Sequence, residues 1–198
     1  MTALRRFGLL APLAAFSLAG CGLNSVPTAE ENVNAKWANV QADYQRRADL
    51  IPNLVNTVKG YAKQESSVLI AVTQARADAT KVTLNAADLS DPAKVKAFND
   101  AQGRLTQEII PLQRLQEAYP DLKSNANFLA LQDQLEGTEN RIRASRGDYN
   151  EAVQAYNTRI RTFPDAIGAR IFYGAKPKVP FEATSGAQNA PTVDFNAS

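Results

Sequence analysis

VNAKWANVQADYQRRADLIPNLVNTVKGYAKQESSVLIAVTQARADA, Val33 to Ala79, decides the fold. Its apolar positions are Val33, Trp37, Val40, Tyr44, Ile51, Leu54, Val58, Tyr61, Val68, Val72, Ala75 and Ala79. The gaps are threes, fours or their sums, whereas a strand would alternate in twos. A helix turning every 3.6 residues gathers all twelve onto one stripe. Lys36, Asp43, Arg46, Arg47, Asp49, Lys59, Lys63 and Arg76 fall mostly off it. Unbroken, such a helix would reach roughly 70 Å at 1.5 Å per residue, too long for a small globule. Pro52 lies inside the stripe, where its ring crowds the Ala48 carbonyl at a cost of about 3 kcal/mol. The register continues across it through Tyr44, Ile51, Val55 and Val58, so a kinked helix is expected rather than a break.

The flanking segments supply further helices. Asp91-Pro92 reads as an N-cap followed by proline at the first helical position. From Pro92 to about Tyr119 the stripe is Val95, Phe98, Leu105, Ile109, Leu112, Leu115 and Tyr119, interrupted by Pro111 and weakened by Gly103. Pro120 disfavours continuation through Tyr119. Ser124 or Asn125 then caps a third helix, expected to run to Phe163 along Phe128, Leu131, Leu135, Ile142, Tyr149, Val153, Tyr156, Ile160 and Phe163. Glu139 and Arg143 form an i, i+4 pair on it, worth a few tenths of a kcal/mol. Ala166 to Tyr173 suits one or two further turns. Beyond Gly174, Pro177, Pro180, Gly186 and Pro191 exclude a long helix, although Val179, Phe181, Val193 and Phe195 could pin this tail to the bundle.

The expected fold is therefore all-α: an elongated antiparallel bundle of three long helices, the first and second kinked at proline, with a short C-terminal helix and an irregular tail. The helix lengths do not match. The apolar face around Val33, Trp37 and Val40 needs a cover: the C-terminal helix, the tail, a folded-back segment or a second copy, which would make a homo-oligomer.

Residues 1–20 have the shape of an export signal: Arg5 and Arg6 as a positive start, then an apolar run from Phe7 to Leu18 too short to span a membrane. Leu18-Ala19-Gly20-Cys21 resembles the bacterial lipobox. That implies cleavage before Cys21, acylation there, and membrane attachment through the acyl chains. Gly22 at the next position favours the periplasmic face of the outer membrane in a Gram-negative source. Residues 21–32 read as a tether of roughly 35 Å at most, 33–173 as the bundle and 174–198 as an extended tail.

Composition narrows the chemistry. The sequence holds 22 basic and 20 acidic residues, and losing Arg5 and Arg6 with the leader equalises the signs, so no nucleic-acid footprint is expected. It contains no histidine, one cysteine and one methionine. The usual general base, haem ligand and metal ligand are missing, and neither a cofactor nor a metal site is expected.

The segments WANVQADYQRRADLIPNLVNTVKGYAKQE (Trp37–Glu65) and EAYPDLKSNANFLALQDQLEGTENRIRASRGDYNEAVQAYNTRIRTFP (Glu117–Pro164), with the terminal FE and APTVDF pieces, resemble the LemA family. The resemblance implies an envelope protein of long antiparallel helices and names no biochemical activity. Many members carry an N-terminal transmembrane helix; this chain has the lipobox instead. Within the matching blocks, Arg46, Arg47, Asp49, Asn53, Glu65, Glu139 and Arg146 read as a buried polar network that fixes register and caps carbonyls freed by proline; the alternative is a binding constellation for a partner or ligand. The function expected is a non-enzymatic membrane-anchored scaffold or adaptor for envelope proteins. The alternatives are a carboxylate-dependent periplasmic hydrolase acting on glycan and a carrier of an apolar ligand between the helices.

Overall fold

The computed structural model describes residues 24–182. The leader, Cys21, Val193 and Phe195 lie outside these residues. Helix α1 spans Ser25–Tyr61, α2 Ser66–Lys81, α3 Pro92–Ala118, the single turn α4 Pro120–Lys123, and α5 Ala126–Arg159. A short α6, Asp165–Gly168, runs into a π-helical turn, Ala169–Tyr173. A 3₁₀ turn at Asp88–Ser90 precedes α3. The described chain is all-helical, as its apolar spacing requires.

Three expectations need correction. The Val33–Ala79 stretch is two antiparallel helices, because the chain turns at Ala62–Glu65. Tyr61 and Val68 are seven residues apart, so a stripe ending at one and restarting at the other looks continuous. Ala62 ends the first stripe, buried four residues after Val58, while Tyr61 points outward. The bundle core consequently has four helices, running up, down, up and down. Helix α1 also begins at Ser25, so most of the segment read as a tether is helical, and Val26 is buried. Finally, α5 ends at Arg159, leaving Phe163 82% exposed instead of closing the stripe.

Pro52 does not stop α1. It has no amide hydrogen for the Ala48 carbonyl, and Arg76 Nε reaches across from α2 to donate to that oxygen at 2.6 Å. A charged donor on a carbonyl contributes about 1.5–3 kcal/mol, which offsets much of the roughly 3 kcal/mol that proline costs in a helix interior. The caps expected at Asp91 and Asn125 form: Asp91 accepts from the Ala93 and Lys94 amides, and Asn125 from that of Phe128.

Helix α1 packs along α5, and α2 along α3, with α1 and α2 joining the pairs. Two cores result. The lower one is aliphatic, built from Ile51, Leu54, Val58, Val72, Leu105, Ile109, Leu112 and Leu135, with Phe128 at its end. The upper one is aromatic: Trp37, Tyr44, Phe98, Tyr149, Tyr156 and Phe181. There α2 has ended, and α3 contributes only its first turns through Val95 and Phe98. Leu84 and Leu89 of their connector and the Lys178–Glu182 strap cover Val33, Trp37 and Val40. This settles what hides that face within one chain. The strap is held by two asparagines seven residues apart on α5. Asn157 donates to the Lys178 carbonyl at 2.8 Å and accepts from its amide at 2.9 Å. Asn150 does the same for Phe181, at 2.9 and 2.8 Å. Tyr149 Oη donates to the Val179 carbonyl at 3.0 Å, and the Val179 amide to Leu89 at 2.8 Å.

Candidate functional site: the open seam between α3 and α5

Between the two cores lies a polar layer centred on Arg47, which is 1% exposed. Its position follows from the i+3 step between Tyr44 and Arg47, which keeps the guanidinium on the buried face of α1. One terminal nitrogen donates to Thr106 Oγ1 at 2.8 Å and to Glu139 Oε1 at 2.9 Å. The other donates to Gln102 Oε1 at 2.6 Å and to the Gln102 carbonyl at 3.2 Å. Gln102 Nε2 in turn donates to the Ala79 carbonyl at the end of α2 at 3.2 Å. One residue thus ties all four long helices together. The guanidinium also packs 5.1 Å from the Tyr44 ring centre. Its Nε is buried with no hydrogen-bond partner among the described residues.

The layer floors two grooves in the seam between α3 and α5, each about 450 Å³. The upper groove is lined by Arg47, Asn99, Gly103, Glu139, Arg143 and Arg146. The lower one carries Ile109, Ile110, Gln113, Gln132, Asp133 and Glu136. Arginines dominate the upper wall and carboxylates and amides the lower one. The surface can present forked donors to a carboxylate or phosphate above and acceptors below. Burial holds the Tyr44 hydroxyl above the usual tyrosine range, opposed by the charges of Arg146 and Arg47.

Of the polar residues singled out by sequence, the structure joins Arg47 and Glu139 directly. Arg146 instead pins the strap, donating to the Glu182 carbonyl at 2.9 Å with its guanidinium 4.8 Å from the Phe181 ring centre. Glu65 accepts from Tyr119 Oη at 3.2 Å, at the far end of the bundle. Arg46, Asp49 and Asn53 are exposed and stand apart from the layer. Glu139 turns inward to Arg47, while Arg143 donates to Asn140 at 2.7 Å, so the expected Glu139–Arg143 pairing gives way to a buried one.

Sequence reasoning missed Gln102, Thr106 and Arg76. Gln102 had a signal: it occupies the stripe position between Phe98 and Leu105, where the period calls for an apolar residue. Of the seam's carboxylates, Asp133, Glu136 and Glu139 rise from α5 and Asp100 from α3. In the upper groove Asp100 is paired with Lys96 at 2.6 Å and Glu139 with Arg47 at 2.9 Å, whereas glycoside hydrolysis needs two carboxyls flanking the scissile bond. The crevice beneath Tyr44, Phe98, Leu84 and Leu105 holds about 120 Å³, well below the roughly 300 Å³ at which small-molecule pockets begin. Among the described residues, no group of three or more carboxylates or cysteines is placed to hold a metal, and no helix is long and apolar enough to cross a membrane.

The LemA family model matches residues 36–195, from the residue before Trp37 to beyond the strap. The chain belongs to the LemA family. The LemA-family segment takes in Arg47, Gln102, Glu139 and both strap asparagines, and leaves Cys21 outside it. Among its relatives, Protein LemA of Metamycoplasma hominis is 26% identical over 125 residues, covering 63% of this chain and 52% of that protein. Magnetosome protein MamQ 2 of Paramagnetospirillum magneticum is 26% identical over 157 residues, covering 71% and 58%. MamQ of Magnetospirillum gryphiswaldense is 25% identical over the same length, with the same coverage. The chain therefore spans little more than half the length of these relatives.

Proposed function

We propose that this LemA-family chain is a non-enzymatic scaffold of the bacterial envelope, tethered to a membrane by acyl chains on Cys21. Its α3–α5 seam is the surface offered to partner proteins. The observation that carries the anchor is Leu18-Ala19-Gly20-Cys21, following a basic start and a short apolar run on the sole cysteine. Two or three acyl chains at about 0.8 kcal/mol per buried methylene hold a protein durably on a bilayer. Structural support for a scaffold comes from the pattern of packing. The crevice among the core side chains holds only about 120 Å³, all but one of the seam's carboxylates rise from α5, and the seam is polar, extended and graded in charge. Those are properties of a recognition surface rather than of a reaction centre. Replacing Cys21 with serine tests the tether: C21S is expected to leave the membrane fraction or mislocalise, and unchanged fractionation contradicts it.

A further inference from the structure

Five of the nine large apolar side chains exposed among the described residues crowd into the eleven positions from Phe163 to Tyr173. Phe163 is 82% exposed, Ile171 69%, Phe172 67%, Ile167 53% and Tyr173 44%. The remaining four are single residues scattered over α1, α2, α3 and α5. Isolated apolar residues on a surface need no explanation, whereas a contiguous group does.

The location of the group indicates what covers it. Arg159, at the end of α5, donates to the Ser25 carbonyl at 3.3 Å, and α6 packs against α1. The apolar segment therefore sits at the end of the bundle where α1 begins. Ser25 lies four residues after Cys21 in the sequence, a reach of at most about 14 Å for extended chain. Its rim is basic: Arg161, Arg170 and Lys176 are exposed, against the exposed Glu31 on α1. The other acids of this end are engaged, Asp165 with Arg159 at 3.8 Å and Glu30 with Lys178 at 2.9 Å. An open concavity of about 790 Å³ beside it has Ile160, Ile167 and Ile171 in its lining with Arg161 and Arg170.

We infer that Phe163–Tyr173 is a membrane-docking face that inserts its aromatic and isoleucine side chains into the headgroup region of an anionic bilayer. Phenylalanine, tyrosine and isoleucine surrounded by arginine and lysine match the apolar interior and negative surface of such a membrane. Contact there, close to the acylated end, sets the bundle upright and turns the α3–α5 seam sideways, away from lipid. The proposal rests on the lipid-anchored reading for which end meets the membrane.

The test uses the full lipid-modified chain in vesicles of phosphatidylethanolamine and phosphatidylglycerol. Acylation would consume the sole native thiol, so F172C and, at the opposite end, L129C can each carry one fluorophore; both sites are exposed and tolerant. Nitroxide-bearing lipids should quench the F172C label at least about twofold more than the L129C label, and aqueous iodide the reverse. Equal quenching at both sites, with the chain still floating with vesicles, overturns the docking face and leaves the anchor standing. Thiol labelling of the unsubstituted chain combined with lipid quenching at F172C removes the anchor and supports the face. Failure to float with vesicles overturns both.

Discussion

At Arg47 a full positive charge sits in the middle of the bundle, with four of its five N–H donors used on two helices, α3 and α5. Removing one partner of such a pair leaves the other desolvated and uncompensated, which costs about 3–5 kcal/mol. Replacing both members of the pair by apolar side chains of similar volume removes the orphaned charge along with the pair. Arg47→Ala should therefore lower unfolding stability by about 3–5 kcal/mol, and Arg47→Met combined with Glu139→Leu should fall within about 1 kcal/mol of the parent, both read from urea midpoints. A second residue-scale test concerns Pro52. Arg76 should matter because Ala48 has lost its helical partner. Arg76→Ala should cost about 1.5–3 kcal/mol in the parent. In a Pro52→Ala background, where residue 52 donates its own amide to Ala48, the cost should shrink by more than half. Equal costs in both backgrounds would show that the carbonyl is not what Arg76 serves.

The elements show what a sequence can disclose and what it cannot. Val33, Trp37, Val40, Tyr44, Ile51, Leu54 and Val58 are buried as their spacing requires, because burial of one helix face is a local property of the pattern. The turn at Ala62–Glu65 was hidden because the heptad gap preserved phase, and no proline or positive-φ glycine marked it. The Arg47–Glu139 pair was foreseeable as residue types and not as a contact, since the partners are far apart in sequence and meet only through the α1–α5 register. The strap was half-visible: Phe181 and Val179 had the right apolar character, while Asn150 and Asn157 read as ordinary polar positions. Each asparagine satisfies one strap residue's amide and carbonyl together. Asn157→Ala should cost about 1–3 kcal/mol locally and speed amide exchange at Val179 and Phe181, with exchange in the lower core of α1 unchanged. Loss of protection throughout the molecule would mean that the strap is part of the global folding unit.

For the molecule as a whole, the two cores respond differently to alkali. Burial raises the Tyr149 hydroxyl far above its normal range; burial, with a smaller push from Glu30, raises Tyr156 to about 12. Both are in the upper core. A raised folded value means the neutral form is favoured by folding. That stability is fully present below the unfolded tyrosine value near pH ~10 and is lost as pH climbs through the folded values. Denaturation curves should stay level on this account up to about pH 9 and weaken between about pH 10 and 12. Fluorescence of Trp37, seated in the upper core, should report the loss. A graded polar seam, two cores and an apolar, basic end beside the start of α1 are the features behind the proposal of a rod that stands on a membrane and presents its flank. All of this depends on the amino end being fastened to lipid, and the intact mass of the mature protein extracted from membranes tests that most directly. A chain beginning at Cys21 and heavier by its acyl groups is the predicted result; an unmodified chain, or one starting at another residue, would contradict it.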